Sequence, residues 1–283
     1  LQLSARTPTA CAMAALTLDY LSGGRHIVGL GVSGPQVVEG WYGQKFAKPL
    51  GRTREYIDIM RQVWAREAPV TSAGPHYPLP YNGDGGASGL GKPLKPITHP
   101  LRADIPVMLG AEGPKNVALA AEIADGWLPL FYTPRMADTY NAWLDEGFAR
   151  PGARRSREDF EIIATAQIVI TDDRAATYAA IKPFLALYMG GMGSEDTNFH
   201  AEVYRRMGGY SDVVDEVTKL FRSDRKEEAA QIIPDAVVED SAIVGDLDHV
   251  REQIKVWESS GVTTMLVSPR TVEEIDQLAG LIS

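Results

Sequence analysis

The stretch PVMLGAEGPKNVALAAEIADGWLP, residues 106–129, decides how this chain folds. Val107-Met108-Leu109 is a short apolar run of the kind that forms a buried strand. It stops at Gly110-Ala111-Glu112-Gly113-Pro114-Lys115, and a helical pattern follows at once. Asp125-Gly126-Trp127-Leu128-Pro129-Leu130 then reads as the next strand. A strand, a short turn, a helix and another strand make up the repeating unit of a parallel α/β sheet.

The same alternation runs outward in both directions. Leu1-Gln2-Leu3 reads as the end of a strand. Thr7 is placed to cap a helix with Pro8 at its first position, and the helix runs through Leu21 to the stop at Ser22-Gly23-Gly24. Residues 25–31 form an apolar strand, followed by a loop from Val32 to Phe46. Pro49 to Glu67 is an amphipathic helix, with Tyr56, Ile59, Met60, Val63 and Trp64 on one face. Beyond the opening stretch, helices are expected over 134–149 and 174–189, with one strand over 160–170 between them. Two or three short helices are expected over 199–234, a helix closed by Gly261 after Gly245-Asp246, a strand over 262–267 and a last helix over 272–282. The chain reads as one domain, 1–283, with two excursions. Residues 68–104, rich in Gly and Pro, form an insertion or lid, and residues 190–244 form a helical insertion.

Two architectures accommodate such alternation, an open doubly wound sheet and a (βα)8 barrel. Six strands are visible, one of them only a tail. A barrel needs eight, and the others would precede Leu1, so N-terminal βα units look to be missing. Removing them would expose sheet edges and apolar interior, so a product of this length is expected to aggregate or to borrow strands.

Composition narrows the function. Of the 283 residues, 45% are hydrophobic, enough for a sizeable core, and the net charge of −9 opposes general binding to nucleic acid or an anionic membrane. Cys11 is the only cysteine, so no internal disulfide or cysteine-based metal site can form, and a reducing cytoplasm suits it. No stretch reaches the roughly 18 apolar residues of a membrane span. None of the five histidines has a partner at helical ligand spacing, and no metal is expected. His26 reads as a structural residue within a strand. No nucleophile elbow is present, and Ser33 has no evident His partner.

In parallel α/β folds the loops after the strands build the site. In Gly110–Lys115, glycines permit close approach of a ligand, Pro114 sacrifices no needed hydrogen bond, and the free N–H groups and dipole of the new helix favour an anion, with Lys115 adding charge. The residues alone equally allow a tight turn with an N-terminal proline. Glu112 opposes an anion unless its side chain turns away. A second loop, Gly29 to Gln36, offers a flat wall for a planar ring, with Ser33 and Gln36 to bond its edges; a plain glycine-rich loop is the other reading. Gly29-x-Gly31-x-x-Gly34 matches a dinucleotide fingerprint in spacing, but Pro35 and a long loop stand where that pattern needs a helix. Gln36, His76 and His200 are the side chains nominated for catalysis, and Glu202 follows His200.

Three segments carry a resemblance. LTLDYLSGGRHIVGLGVSGP (16–35), LGAEGPKNVALAAEIADGWL (109–128) and GDLDHVREQIKVWESSGVTTMLVSP (245–269) resemble, in order, signatures of the bacterial-luciferase-like superfamily. Within it, Gly110-Ala111-Glu112-Gly113-Pro114-Lys115 is similar to the Gly-Ala-x-Gly-Pro-Lys loop of actinobacterial oxidoreductases that use the deazaflavin coenzyme F420. The resemblance implies a (βα)8 barrel with insertions. It also implies a cofactor-binding set of Gln2, Ser33, Gly34, Gln36 and Gly110 through Lys115, with the loop around the phosphate of the coenzyme tail. Family residues from the first two strands have no counterpart here, which leaves the catalytic acid or base unassigned. The implied activity is hydride transfer between F420 and a small organic substrate: an alcohol or ketone, or a C=C or C=N bond. The alternatives are a flavin-mononucleotide (FMN) monooxygenase on the same barrel and a truncated, non-catalytic barrel. A homodimer is a candidate assembly.

Overall fold

The computed structural model describes residues 1–81, 83, 87–193 and 198–281. Parts of the first insertion, of the Gly/Met stretch before Asn198 and of the expected last helix lie outside the described residues. Helix α1 (Pro8–Leu21) starts as its sequence demands, with the Thr7 hydroxyl accepting the Ala10 N–H. Strand β1 (Val28–Gly31) follows, then a short helix α2 (Pro35–Gly40) and α3 (Pro49–Ala65). Tyr56 and Trp64 of α3 are fully buried and bond back to the α1 region: Tyr56 Oη donates to the Arg6 C=O (3.1 Å) and Trp64 Nε1 to the Ala12 C=O (3.1 Å). The opening stretch becomes β2 (Val107–Gly110), α4 (Pro114–Ile123) and β3 (Gly126–Trp127); α5 (Ala137–Phe148) follows after one 3-10 turn.

These strands, with β4 (Glu161–Thr165) and β7 (Thr264–Leu266), form one all-parallel sheet in the order β1-β2-β3-β4-β7. The chain start adds to its other side, where Gln2 pairs in parallel with Gly31. The described strands therefore make a barrel-type arc with helices outside and two edges, one at residues 1–3 and one at β7.

Three expectations need correction. The single strand over 160–170 is two. Ala166 N–H still bonds the Leu266 C=O (3.0 Å), but β5 (Gln167–Ile170) turns away from the arc to pair in parallel with β6 (Ala242–Gly245), a strand the sequence reading missed. Between β5 and β6 lie α6 (Arg174–Ala186), which runs into a π turn at Leu187–Gly191, then the short helices expected over 199–234, α7 (Phe199–Arg206), α8 (Ser211–Arg222) and α9 (Lys226–Gln231), and one more beyond them, α10 (Asp235–Glu239). The loop over 32–46 contains α2. His26 precedes β1 rather than lying in it, and its C=O accepts a bond from Arg102 Nη2 (2.7 Å). The chain closes with α11 (Leu247–Ser259), β7 and α12 (Val272–Ala279).

At the amino end of the sheet, Asp125 holds the strand register. It accepts the Val107 N–H (2.9 Å), Arg154 Nε (2.8 Å) and Arg155 Nε (2.7 Å). Burial pushes its carboxyl upward, but these donors outweigh burial and hold it below the usual range. The basic loop before β4 is thus a clamp on the start of β2.

Helices α4 and α5 cross at Gly147, where an added Cβ would stand 2.1 Å from the Ala118 C=O oxygen and 2.6 Å from the Ala121 Cβ. Gly147→Ala should cost about 1–3 kcal/mol, because backbone on one side cannot yield. Equilibrium urea unfolding measures this, and an unchanged midpoint would contradict the close crossing.

Candidate functional site

Parallel register sets the site. Val28 pairs with Val107 and Gly31 with Gly110, so β1 and β2 end side by side and their loops leave on the same carboxyl face. Between the loops lies a cleft of about 510 Å³. Ser33, Gly34 and Gln36 line one wall, all six residues of Gly110–Lys115 line another, and His200 closes it from α7.

Both loops end the same way. Gly34 (φ −121°, ψ 162°) and Gly113 (φ −121°, ψ 161°) are the N-caps of α2 and α4, each followed by proline, and neither helix has a side-chain cap. The helix at Pro35 removes one objection to the glycine spacing before it. Even so, α2 is six residues long and leads to α3, not to a neighbouring strand, so the dinucleotide pattern still does not apply. At α4 the Gly113 C=O takes the Asn116 and Val117 N–H groups (3.0 and 2.9 Å). The start of the helix, with its partial positive charge, faces the cleft uncapped. A Cβ built on Gly113 meets nothing within 4 Å, so this backbone is open to a ligand. Gly34 is tighter, since its Cβ would meet Gln36 Oε1 at 3.1 Å. Ser33 has φ 60°, a left-handed conformation that costs a non-glycine residue about 1–2 kcal/mol.

The Gly110–Lys115 loop is held from beneath. Buried Trp127 donates from Nε1 to the Ala111 C=O (2.7 Å). The Glu112 side chain turns to the loop after β3, where Oε1 accepts the Leu130 N–H (2.7 Å). Arg206 of α7 reaches the Glu112 C=O with Nη1 (3.4 Å). Burial pushes the Glu112 carboxyl up to about 7, with the Leu130 N–H and Arg206 acting the other way.

His200 sits in the first turn of α7, capped by Asn198, whose Oδ1 accepts the His200 N–H (3.0 Å) while its Nδ2 donates to the Tyr188 and Met189 carbonyls (2.9 and 2.8 Å). The imidazole packs edge-on against Tyr188 and Phe131. Burial lowers its pKa, and Nδ1 is buried without a partner. Glu202 is exposed and pairs with Arg205 (3.2 Å), away from any catalytic role.

Two nominated residues do not line the cleft. His76 lies beside Gly51 of α3, with Nε2 3.7 Å from Glu55 Oε1. The insertion that carries it packs against α1 and α3, and none of its described residues reaches the cleft wall. Gln2 is behind the wall, paired with Gly31, and its Oε1 is buried without a partner. Sequence reading missed Phe46, Met192, Phe199 and Arg206, because their approach depends on how α3 and α7 dock. Among the described residues no group of three or more His, Cys, Asp or Glu side chains gathers as a metal site requires, and no helix is long and apolar enough to cross a membrane.

An all-parallel barrel arc with a glycine-lined cleft on its carboxyl face places the chain in a class that comparison defines. Residues 1–264 match the Luciferase-like monooxygenase family, and the chain belongs to it. It is 78% identical over 282 residues to a Mycobacterium tuberculosis protein named "Putative coenzyme F420-dependent oxidoreductase", a match that spans all of this chain and 81% of that one. It is 30% identical over 268 residues to the 5,10-methylenetetrahydromethanopterin reductase of Archaeoglobus fulgidus, covering 92% of this chain and 72% of the relative. The fold is shared with the coenzyme F420-dependent tetrahydromethanopterin reductase of Methanopyrus kandleri (TM-score 0.75, 24% identity, 97% of this chain and 78% of that one). The luciferase-like barrel expected from the sequence is thus the fold, and the chain is an enzyme of this oxidoreductase class.

Trp127→Phe keeps the aromatic packing but leaves the Ala111 C=O unpaired. It should lower stability by about 1–3 kcal/mol, the cost of a buried acceptor without a donor. Denaturant titration checks this; a loss no larger than that of an exposed substitution would show that the indole bond does not hold the loop.

Proposed function

We propose that this protein is an oxidoreductase that binds the deazaflavin coenzyme F420 in the cleft between the two loops and exchanges a hydride between it and a small organic substrate. The observation that carries the reading is the uncapped Gly113-Pro114 start of α4, open to the cleft and followed by Lys115. That arrangement suits the phosphate of an anionic cofactor tail. The Mycobacterium tuberculosis relative, whose name specifies coenzyme F420, supports the same choice over FMN. When bound, the deazaflavin supplies two-electron hydride chemistry, and the protein supplies position and electrostatics.

In this reading Gly113 and the first turn of α4 hold the tail phosphate, with Lys115 adding charge from the rim. Ser33, Gly34 and Gln36 flank the ring, with Gln2 paired behind Gly31. His200 meets the substrate. Its imidazole, lowered in pKa by burial, lines the cleft, where it can exchange one proton with a carbonyl or hydroxyl oxygen of the substrate. The substrate is an alcohol or ketone, or a C=C or C=N bond. The single buried Cys11 suits a reducing cytoplasm.

Gly113→Asp is the direct test. Gly113 has an ordinary extended backbone and open space for a Cβ, so folding should be unaffected. A carboxylate at the cap would repel the tail, and deazaflavin affinity should fall about tenfold or more, equivalent to at least ~1.4 kcal/mol. Fluorescence titration reads the affinity and a thermal melt checks the fold. Unaltered affinity in a well-folded variant would refute the cradle.

A further inference from the structure

Glu112 occupies the middle of a loop proposed to hold an anion, where an acid has least reason to be. The residue is half-buried, with its carboxyl turned to the loop after β3. Among the described residues no cation comes within ion-pair distance of it, and its one hydrogen-bond donor is the Leu130 N–H. The groups around it come from four elements. The loop after β3 gives that N–H. Helix α5 gives Tyr140, and α7 gives Tyr204 and Arg206, the latter bonded to the Glu112 C=O and not to the carboxylate. Lys115 of α4 is exposed on the rim. The Tyr140 and Tyr204 hydroxyls are buried without partners, so neither donates to the carboxylate, and the Leu130 N–H and the more distant Arg206 charge are what favour its ionised form.

We propose that Glu112 is a positioning residue that ties the cofactor loop to the loop after β3 and does so as a neutral acid when an anionic tail is bound, so that cofactor binding takes up a proton. The proposal rests on the cradle reading above. A neutral carboxyl can still accept the Leu130 N–H, so the tie survives protonation. A charged carboxylate beside a phosphate is a like-charge pair in one short loop, which favours the protonated form. Burial has already moved the group to about 7, so protonation near neutral pH costs little.

The sign follows from linkage. Below about 7 the acid is already neutral and the tail binds without opposition. Above it, binding must carry a proton in, and affinity falls with rising pH by up to about tenfold per unit for one proton. The titratable side chains nearest the site are shifted away from this window. Tyr140 and Tyr204 are pushed above the usual tyrosine range, and His200 is shifted below the usual histidine value.

The test is deazaflavin affinity by fluorescence from about pH 6 to about pH 8.5 in wild type and Glu112→Gln, whose amide imitates the neutral acid. Wild type should lose at least about fivefold more affinity than the variant across that range, and the two should bind alike at the acid end. Calorimetry in two buffers of different ionisation heat gives the proton count directly. Wild type should take up more protons than the variant on the alkaline side. Parallel pH curves, equal proton counts, or a folded variant that binds at no pH would each overturn the proposal. A wild-type protein that binds no deazaflavin at any pH would overturn the cradle itself, and this inference with it.

Discussion

Parallel pairing of β1 with β2, Gly31 opposite Gly110, is the constraint on which the site depends. It forces two chain segments about 80 residues apart in sequence to end at the same level and on the same face. Each then turns through glycine and proline into a helix with the same cap geometry. A register slip of one residue would send every side chain of the strand to the opposite face and separate the loops. Asp125 guards against this from the other end of the sheet. By accepting the Val107 N–H and two arginines it fixes where β2 begins, and so where Gly110 falls.

The cofactor loop is restrained less by its own residues than by what lies beneath and beside it. Trp127 comes from the next strand, Leu130 from the loop after it, and Arg206 from a helix nearly a hundred residues away. All three bonds anchor Ala111 or Glu112, and none involves Gly113 or Lys115. The two residues most exposed to a ligand are left free while their neighbours are fixed. That division is the arrangement preorganised binding requires, since a loop already held in place has less entropy to lose when its ligand arrives.

Much of this was legible in the sequence. The opening stretch folds as its composition dictates, with Val107–Gly110 a strand and Pro114 the first residue of a helix, and Thr7 caps α1 as expected. Ser33, Gly34, Gln36, Gly110–Lys115 and His200 do meet in one cleft. What escaped has physical causes. Ala242–Gly245 is four residues of apolar chain between helices, and periodicity cannot separate so short a strand from helix. Helix α2 contains Val37, Val38 and Gly40, poor helix formers, and is held by the Gly34 C=O rather than by propensity. The break at Ala166 leaves the alternation of 160–170 intact, so no local signal shows that the strand changes partner there. His76 was nominated for lying in an irregular insertion, but that segment spends its contacts on α1 and α3.

The central claim is that the start of α4 receives the phosphate of a deazaflavin tail. The measurement that tests it most directly is a crystal structure of the protein with coenzyme F420 bound. The account predicts the phosphate within hydrogen-bond reach of the backbone at Gly113–Lys115, with the ring against Ser33–Gln36. Density for the tail elsewhere, with the Gly113-Pro114 turn facing solvent, would contradict it.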